Sequence, residues 1–232
     1  MGPNCAHLPF RASDCDFMQA GTAAQAGRRR RIGCTQMEGI RMLRWLLGAA
    51  GAAVVMFVWG FLWWAVLPMG SLMTSTIANE DAVRAVLRAE LPATGVYFVP
   101  EVKHTPEGDL APGVEARHHD GPLVHIFYRD GSIAVFSIGY MLTGLLHSFV
   151  AALLAGYLLS GVLGSLKTYA KRVLFVALLG VFAAFAMKVG DAVWFYHPLG
   201  YELMGTLFTA INWLLAGLVL AAVIKKPLVQ SG

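Results

Sequence analysis

The chain has 232 residues, 57% of them hydrophobic and 14% charged, and a formal net charge of +4; its mean hydropathy is +0.60. Soluble domains run near 45–50% apolar and about 25% charged, so this balance excludes an ordinary soluble globular chain and points to one embedded in lipid. Nucleic acid is not an expected partner either, because the basic residues stand at the ends of apolar runs and are not gathered along one exposed stretch.

Residues 1–42 show no hydrophobic periodicity, carry the basic run Arg28, Arg29, Arg30 and Arg31, and hold all three cysteines, Cys5, Cys15 and Cys34. A disordered basic cytoplasmic leader is expected here, with Met37 and Met42 as alternative translation starts, and no disulfide framework can be read from the cysteine spacing. Residues 45–67 are 23 positions without a charge. At about 1.5 Å per residue they cross a hydrocarbon core of about 30 Å, so residues 43–68 are expected to form the first transmembrane helix. Trp59, Trp63 and Trp64 near its end have the composition of an interfacial aromatic belt.

Residues 69–136 are expected to form a small extracytoplasmic α+β domain. Asn79 is placed to cap a helix whose first turn holds Glu80 and Asp81, where the helix dipole favours acids. Val83, Val86, Leu87 and Leu91 recur at helical spacing before Pro92 stops the run. Such an amphipathic helix packs on its own domain or lies on the bilayer surface. Residues 95–99 and 123–128 have strand composition, and Arg129, Asp130, Gly131 and Ser132 carry the Asp-Gly signature of a hairpin turn leading to the β-rich residues 133–136. Residues 100–122, rich in Pro, Gly and charge, are expected to be a long mobile loop. With so few apolar positions the domain is expected to lean on the membrane helices or on a partner.

Residues 131–166 again lack formal charge, but 36 positions exceed one span, so the second helix is placed at 139–166. The third starts at Val173 and runs through Met187, with Lys188 and Asp191 near its far end; the fourth occupies residues 203–224 and is stopped by Lys225, Lys226 and Pro227. The fold class expected is therefore an all-α membrane bundle of four transmembrane helices, helices two to four within 137–226, with 227–232 as a cytoplasmic tail. Arg41, Arg44, Lys167, Lys171, Arg172, Lys225 and Lys226 flank one side of the spans, whereas residues 68–135 carry five basic and nine acidic residues. Retention of positive charge in the cytoplasm then places both termini inside, in an inner membrane.

Several side chains invite a chemical reading. His104, His118, His119, Asp120 and His125 offer zinc- or copper-type donors, with His118, His119, Asp120 and His125 as the metal candidates, although their spacing matches no metal motif. His147 within the second helix needs a polar reason; haem or quinone contact is one, and a hydrogen bond to Asn212 of the fourth helix is the ordinary one, with His197 at the outer boundary. Lys188 and Asp191 are expected to pair at the interface. Ala152, Gly156, Ser160 and Gly164 form a small-residue stripe at four-residue spacing that lets another helix approach, inside the bundle, in a homo-oligomer or in a membrane-protein partner. Nucleophile elbows, phosphate loops, metalloprotease helices and paired-cysteine motifs are all missing, so no catalytic residue and no cofactor is expected.

The segments FVWGFLWWAVLP, NEDAVRAVLRAELPATGVYFVP, KRVLFVALLGVFA and INWLLAGLVLAAVIKK, in that order across residues 43–226, resemble a family of uncharacterised bacterial four-helix inner-membrane proteins. The resemblance implies a bacterial origin and the same four-helix layout, and it transfers no activity and no functional residue. The functional expectation is a non-catalytic accessory, assembly or scaffold component of a membrane complex, in contact with the bilayer and a protein partner. A small permease or channel subunit is the alternative, and a membrane redox or metal-binding protein a third reading.

Overall fold

A computed structural model describes residues 25–225. The elements run α1 (Gln25–Phe61), a π-helical turn (Leu62–Val66), α2 (Met69–Met73), α3 (Glu80–Glu90), β1 (Gly95–Val99), α4 (Val114–Asp120) and β2 (Val124–Tyr128). They continue with α5 (Ile138–Val162), α6 (Tyr169–Ala184), a second π-helical turn (Phe185–Val189), α7 (Gly190–Trp194) and α8 (Leu199–Val223). Four segments, Met42–Val66, Ile138–Val162, Tyr169–Trp194 and Leu199–Val223, are helical, long and apolar enough to cross a membrane. The chain is thus read as a multi-pass integral membrane protein in contact with the bilayer.

Helix ends follow caps more closely than charge. Thr168 accepts a hydrogen bond from the Lys171 amide at 3.3 Å and starts α6 before Lys171 and Arg172. Pro198 precedes α8, which brings Glu202 into its first turn, ahead of the start expected at residue 203. At the other extreme, α1 reaches back to Gln25, into the expected disordered leader. Elongating a nucleated helix adds one bond per residue, so the stable span extends into flanking residues. The rest of that leader, residues 1–24 with Cys5 and Cys15, and the tail 227–232 lie outside the described residues.

In space the long helices neighbour one another in the order α5, α1, α8, α6, and α5 meets α6 little despite their short connection. The core sets small residues at the crossings, Ala49 and Ala52 of α1, Ala152 and Ala155 of α5 and Ala216 of α8, beside the larger Leu159 of α5, Val176 of α6 and Leu220 of α8. Lipid is as apolar as leucine, so helices in a membrane hold together by close van der Waals approach. Gly180 shows how close: a Cβ there would overlap Cβ and Cγ of Trp213. The upper half of the expected stripe does the same between α5 and its neighbours, with Ala152 fully buried and Gly156 facing the indole of Trp45 and Ile224. Ser160 is half-buried and donates to the Tyr157 carbonyl of its own helix, and Gly164 faces open space. Of the three tryptophans at the end of α1, Trp63 is buried and packs with Trp59 on Phe208 of α8, so only Trp64 stays exposed as a belt residue.

Between α1 and α5 the chain forms an insert on the bundle end where α6 finishes and α8 begins. Asn79 caps α3 as expected, its side chain accepting from the Ala82 amide at 3.0 Å. The sheet differs from the expected one. β2 pairs antiparallel with β1, Gly95 opposite Tyr128 and Phe98 opposite His125, whereas residues 133–136 are not a strand. The expected hairpin turn is only a bend: Gly131 takes φ +91°, the Asp130 amide donates to Thr94, and the chain runs on into α5. Local turn chemistry set the bend, and the paired partner was a more distant strand. The expected mobile loop 100–122 contains α4 and a turn pinned by Thr105 to Asp109 and Ala111 to Lys103 backbone bonds. Among the described residues of 69–136, Val114 is the one buried side chain, and Val83 and Val86 of α3 remain exposed.

Candidate functional site

Among the described residues, ionisable side chains from separate elements meet at the junction of the insert with the bundle. Glu202 lies in the first turn of α8, with its backbone amide bonded to the Pro198 carbonyl at 3.2 Å, and its side chain is only 2% exposed. A helix N-terminus favours a carboxylate, but burial at that level costs too much unless the charge is paired. Two groups supply the pairing. Lys188, from the π-helical turn after α6, places Nζ 3.5 Å from Oε2, and His197 places Nδ1 2.8 Å from Oε1.

Each partner is aimed by backbone geometry. A π-helical turn widens the helix locally, and the Lys188 side chain then runs across Gly205, where a Cβ would come within 2.9 Å of Lys188 Cδ. His197 follows Tyr196, whose φ of +59° reverses the chain after α7, while the amides of Phe195 and His197 both point at the Asp191 carbonyl, at 3.0 and 3.5 Å. The insert completes the chain of contacts. His125 of β2 places Nδ1 3.0 Å from Nε2 of His197, across 72 residues of sequence. Its ring stacks on Phe98 at 4.2 Å and touches Phe127 and Phe195, so the imidazole is held in a box of three phenyl rings.

One proton arrangement satisfies this chain with neutral rings. His197 donates through Nδ1–H to Glu202, His125 donates through Nδ1–H to Nε2 of His197, and the remaining His125 Nε2 is a bare lone pair, in keeping with its buried position without a partner. Glu202 Oε2 is likewise buried with no hydrogen bond, facing only the ammonium at 3.5 Å. Asp191 stands beside the same cluster. Among the described residues, Asp191, His197 and Glu202 are a group of three metal-type donors whose ligand atoms lie within 4.8 Å of one another. Next to His125, an open groove of about 700 Å³ is lined by Phe98, His118, Trp194, Phe195 and Tyr196 among others.

The residues singled out from the sequence are distributed differently from expectation. His118 meets the Tyr196 ring, and His119 lies 3.9 Å from Asp120 with both side chains largely exposed. His125 meets His197 of the bundle end, although it lines the same groove as His118, and the group of close metal-type donors among the described residues is Asp191, His197 and Glu202, not the four expected candidates. His104 sits in an isolated bridge opposite Leu110. His147 is exposed on α5 and Asn212 keeps a buried Oδ1 without a partner, so the expected bond between them is not made. Lys188 pairs with Glu202 where Asp191 was expected. Glu202 escaped the sequence reading because the fourth span was begun one residue after it; the available signal was an acid four positions after Pro198, inside the first turn of the helix that proline opens.

No protein-family model, no curated protein and no solved structure matches this chain.

Proposed function

We propose that this chain is a non-catalytic accessory or assembly component of a complex in a bacterial cytoplasmic membrane, with both termini in the cytoplasm and the insert on the opposite face. The basic flanks at one end of the spans and the acidic balance of residues 68–135 support the orientation. The resemblance to four-helix bacterial inner-membrane proteins supports the compartment. An alkaline phosphatase fusion at Gly108 is expected to be active and one after Lys171 inactive; the reverse pattern overturns the orientation.

The observation that carries the role is the state of the insert. It buries one side chain of its own, yet offers an aromatic groove of about 700 Å³ where it meets the bundle. An exposed aromatic surface of this size is the kind of patch at which partners dock. A photo-crosslinking residue in place of Trp194, which is 76% exposed, is expected to capture one stoichiometric membrane partner in native membranes. Crosslinks to lipid alone, or to a second copy of this chain, overturn the accessory reading. The permease reading draws its support from Glu202 and the buried Asn212 Oδ1, and predicts solute flux in liposomes carrying the pure chain.

A further inference from the structure

We propose that Asp191, His197 and Glu202 form a divalent-metal site at the rim of the bundle, with zinc the ion that suits the donor set. The three ligands come from separate pieces of chain: α7, the loop that Tyr196 redirects, and the first turn of α8. Their donor atoms already lie within 4.8 Å of one another, so small side-chain movements bring them to the roughly 2.0–2.2 Å distances that zinc takes from imidazole and carboxylate. One nitrogen and two carboxylate donors, with no thiolate, suit zinc or manganese better than a soft ion such as copper(I).

Three further observations distinguish this group from an acidic patch. Glu202 is 2% exposed, so its carboxylate is held out of water beside the other two donors, and its Oε2 makes no hydrogen bond, only the ion-pair contact with the Lys188 ammonium at 3.5 Å. His197 has an outer-shell partner within reach: with a metal on Nδ1 its proton sits on Nε2 and is donated to Nδ1 of His125 at 3.0 Å, His125 changing tautomer to carry its own proton on Nε2, and such a bond orients a metal-binding imidazole. Asp191 is half-buried, which leaves a way in from the rim and a fourth position for water. Lys188 is the competitor. Its ammonium, on a side chain 36% exposed, neutralises Glu202 at 3.5 Å and can swing toward the membrane surface when a dication takes its place.

The test uses the full chain, purified in detergent and stripped of metal, titrated with zinc by calorimetry with the bound metal counted. One zinc per chain at micromolar affinity or tighter is expected. Asp191→Asn and Glu202→Gln should weaken binding by more than tenfold, His125→Ala by about tenfold through the outer shell, and Lys188→Met should strengthen it. The pair His118→Ala with His119→Ala should leave it unchanged. Should the Glu202 variant fail to fold, X-ray absorption of the zinc-loaded native chain decides alone: a shell of oxygen and nitrogen with a single imidazole supports the site. A shell with two or more imidazoles, no stoichiometric zinc, or affinity untouched in Asp191→Asn overturns it. None of these readouts depends on a protein partner, so the site and the accessory role stand or fall separately.

Discussion

The bundle and the insert sit on one chain and are held by different forces. The bundle buries small residues at helix crossings, Ala49, Ala52, Ala152, Ala155 and Ala216 among them, and its strength is the closeness of backbones. The insert buries Val114 and otherwise keeps its position through polar and aromatic contacts to the bundle end. These include the imidazole pair of His125 and His197, the packing of Phe98 on Phe195, and Arg129, which donates to the Tyr140 hydroxyl and lies over that ring. Damage to a crossing should therefore spread through four helices, whereas damage in the insert should stay local unless it reaches the junction.

The largest effect is expected from Gly180→Ala. The new Cβ would overlap Cγ and Cβ of Trp213, atoms fixed close to the α8 backbone, so α6 and α8 must part, at a cost of about 3 kcal/mol. Loss of a monodisperse detergent-solubilised peak and a lower melting temperature would show it, and native-like stability would refute the close crossing.

Glu202→Gln tests the junction from the bundle side. It leaves Lys188 without its counter-charge and His197 with a weaker acceptor; because Lys188 is 36% exposed and partly solvated, about 2 kcal/mol is expected. Combining it with Lys188→Met should recover part of the loss, and strict additivity of the two would mean that the pair is not coupled.

His125→Ala cuts the same seam from the insert side. About 1 kcal/mol is expected, read as faster amide exchange in β1 and β2 with α6 and α8 unchanged. Uniform exchange across both regions would erase the contrast between them.

The smallest effect is assigned to Asn79→Ala. It removes the cap bond to the Ala82 amide on an exposed helix, at about 0.5–1 kcal/mol, and should fray α3 without touching the bundle. Circular dichroism on its own would miss so local a change; amide exchange at the start of α3 would not.

What the chain determined by itself is what local chemistry can specify. A long apolar run has to become a helix in lipid, because no water is there to satisfy its backbone; the first, second and fourth spans follow from uncharged runs of twenty residues or more, and the third from the fifteen uncharged residues between Arg172 and Lys188. The Asn79 cap and the end of α3 before Pro92 were legible for the same reason, since both depend on neighbours a few residues apart. The Asp-Gly turn was legible as a bend but not as a pairing, because pairing depends on which strand arrives opposite, and β1 did.

The site was decided only in three dimensions. His125 and His197 are 72 residues apart, Lys188 reaches Glu202 across the space that Gly205 leaves, and nothing in their spacing announces either meeting. Histidines adjacent in sequence, His118 and His119, looked like the metal donors, yet they point to the exterior and to Tyr196. Spacing reports which side chains share an element, while the assembly of α6, α8 and β2 at one end of the bundle decides which elements share a site. Burial made the difference at Glu202: a carboxylate outside the membrane has no need of partners, and one carried a turn into α8 has to find them.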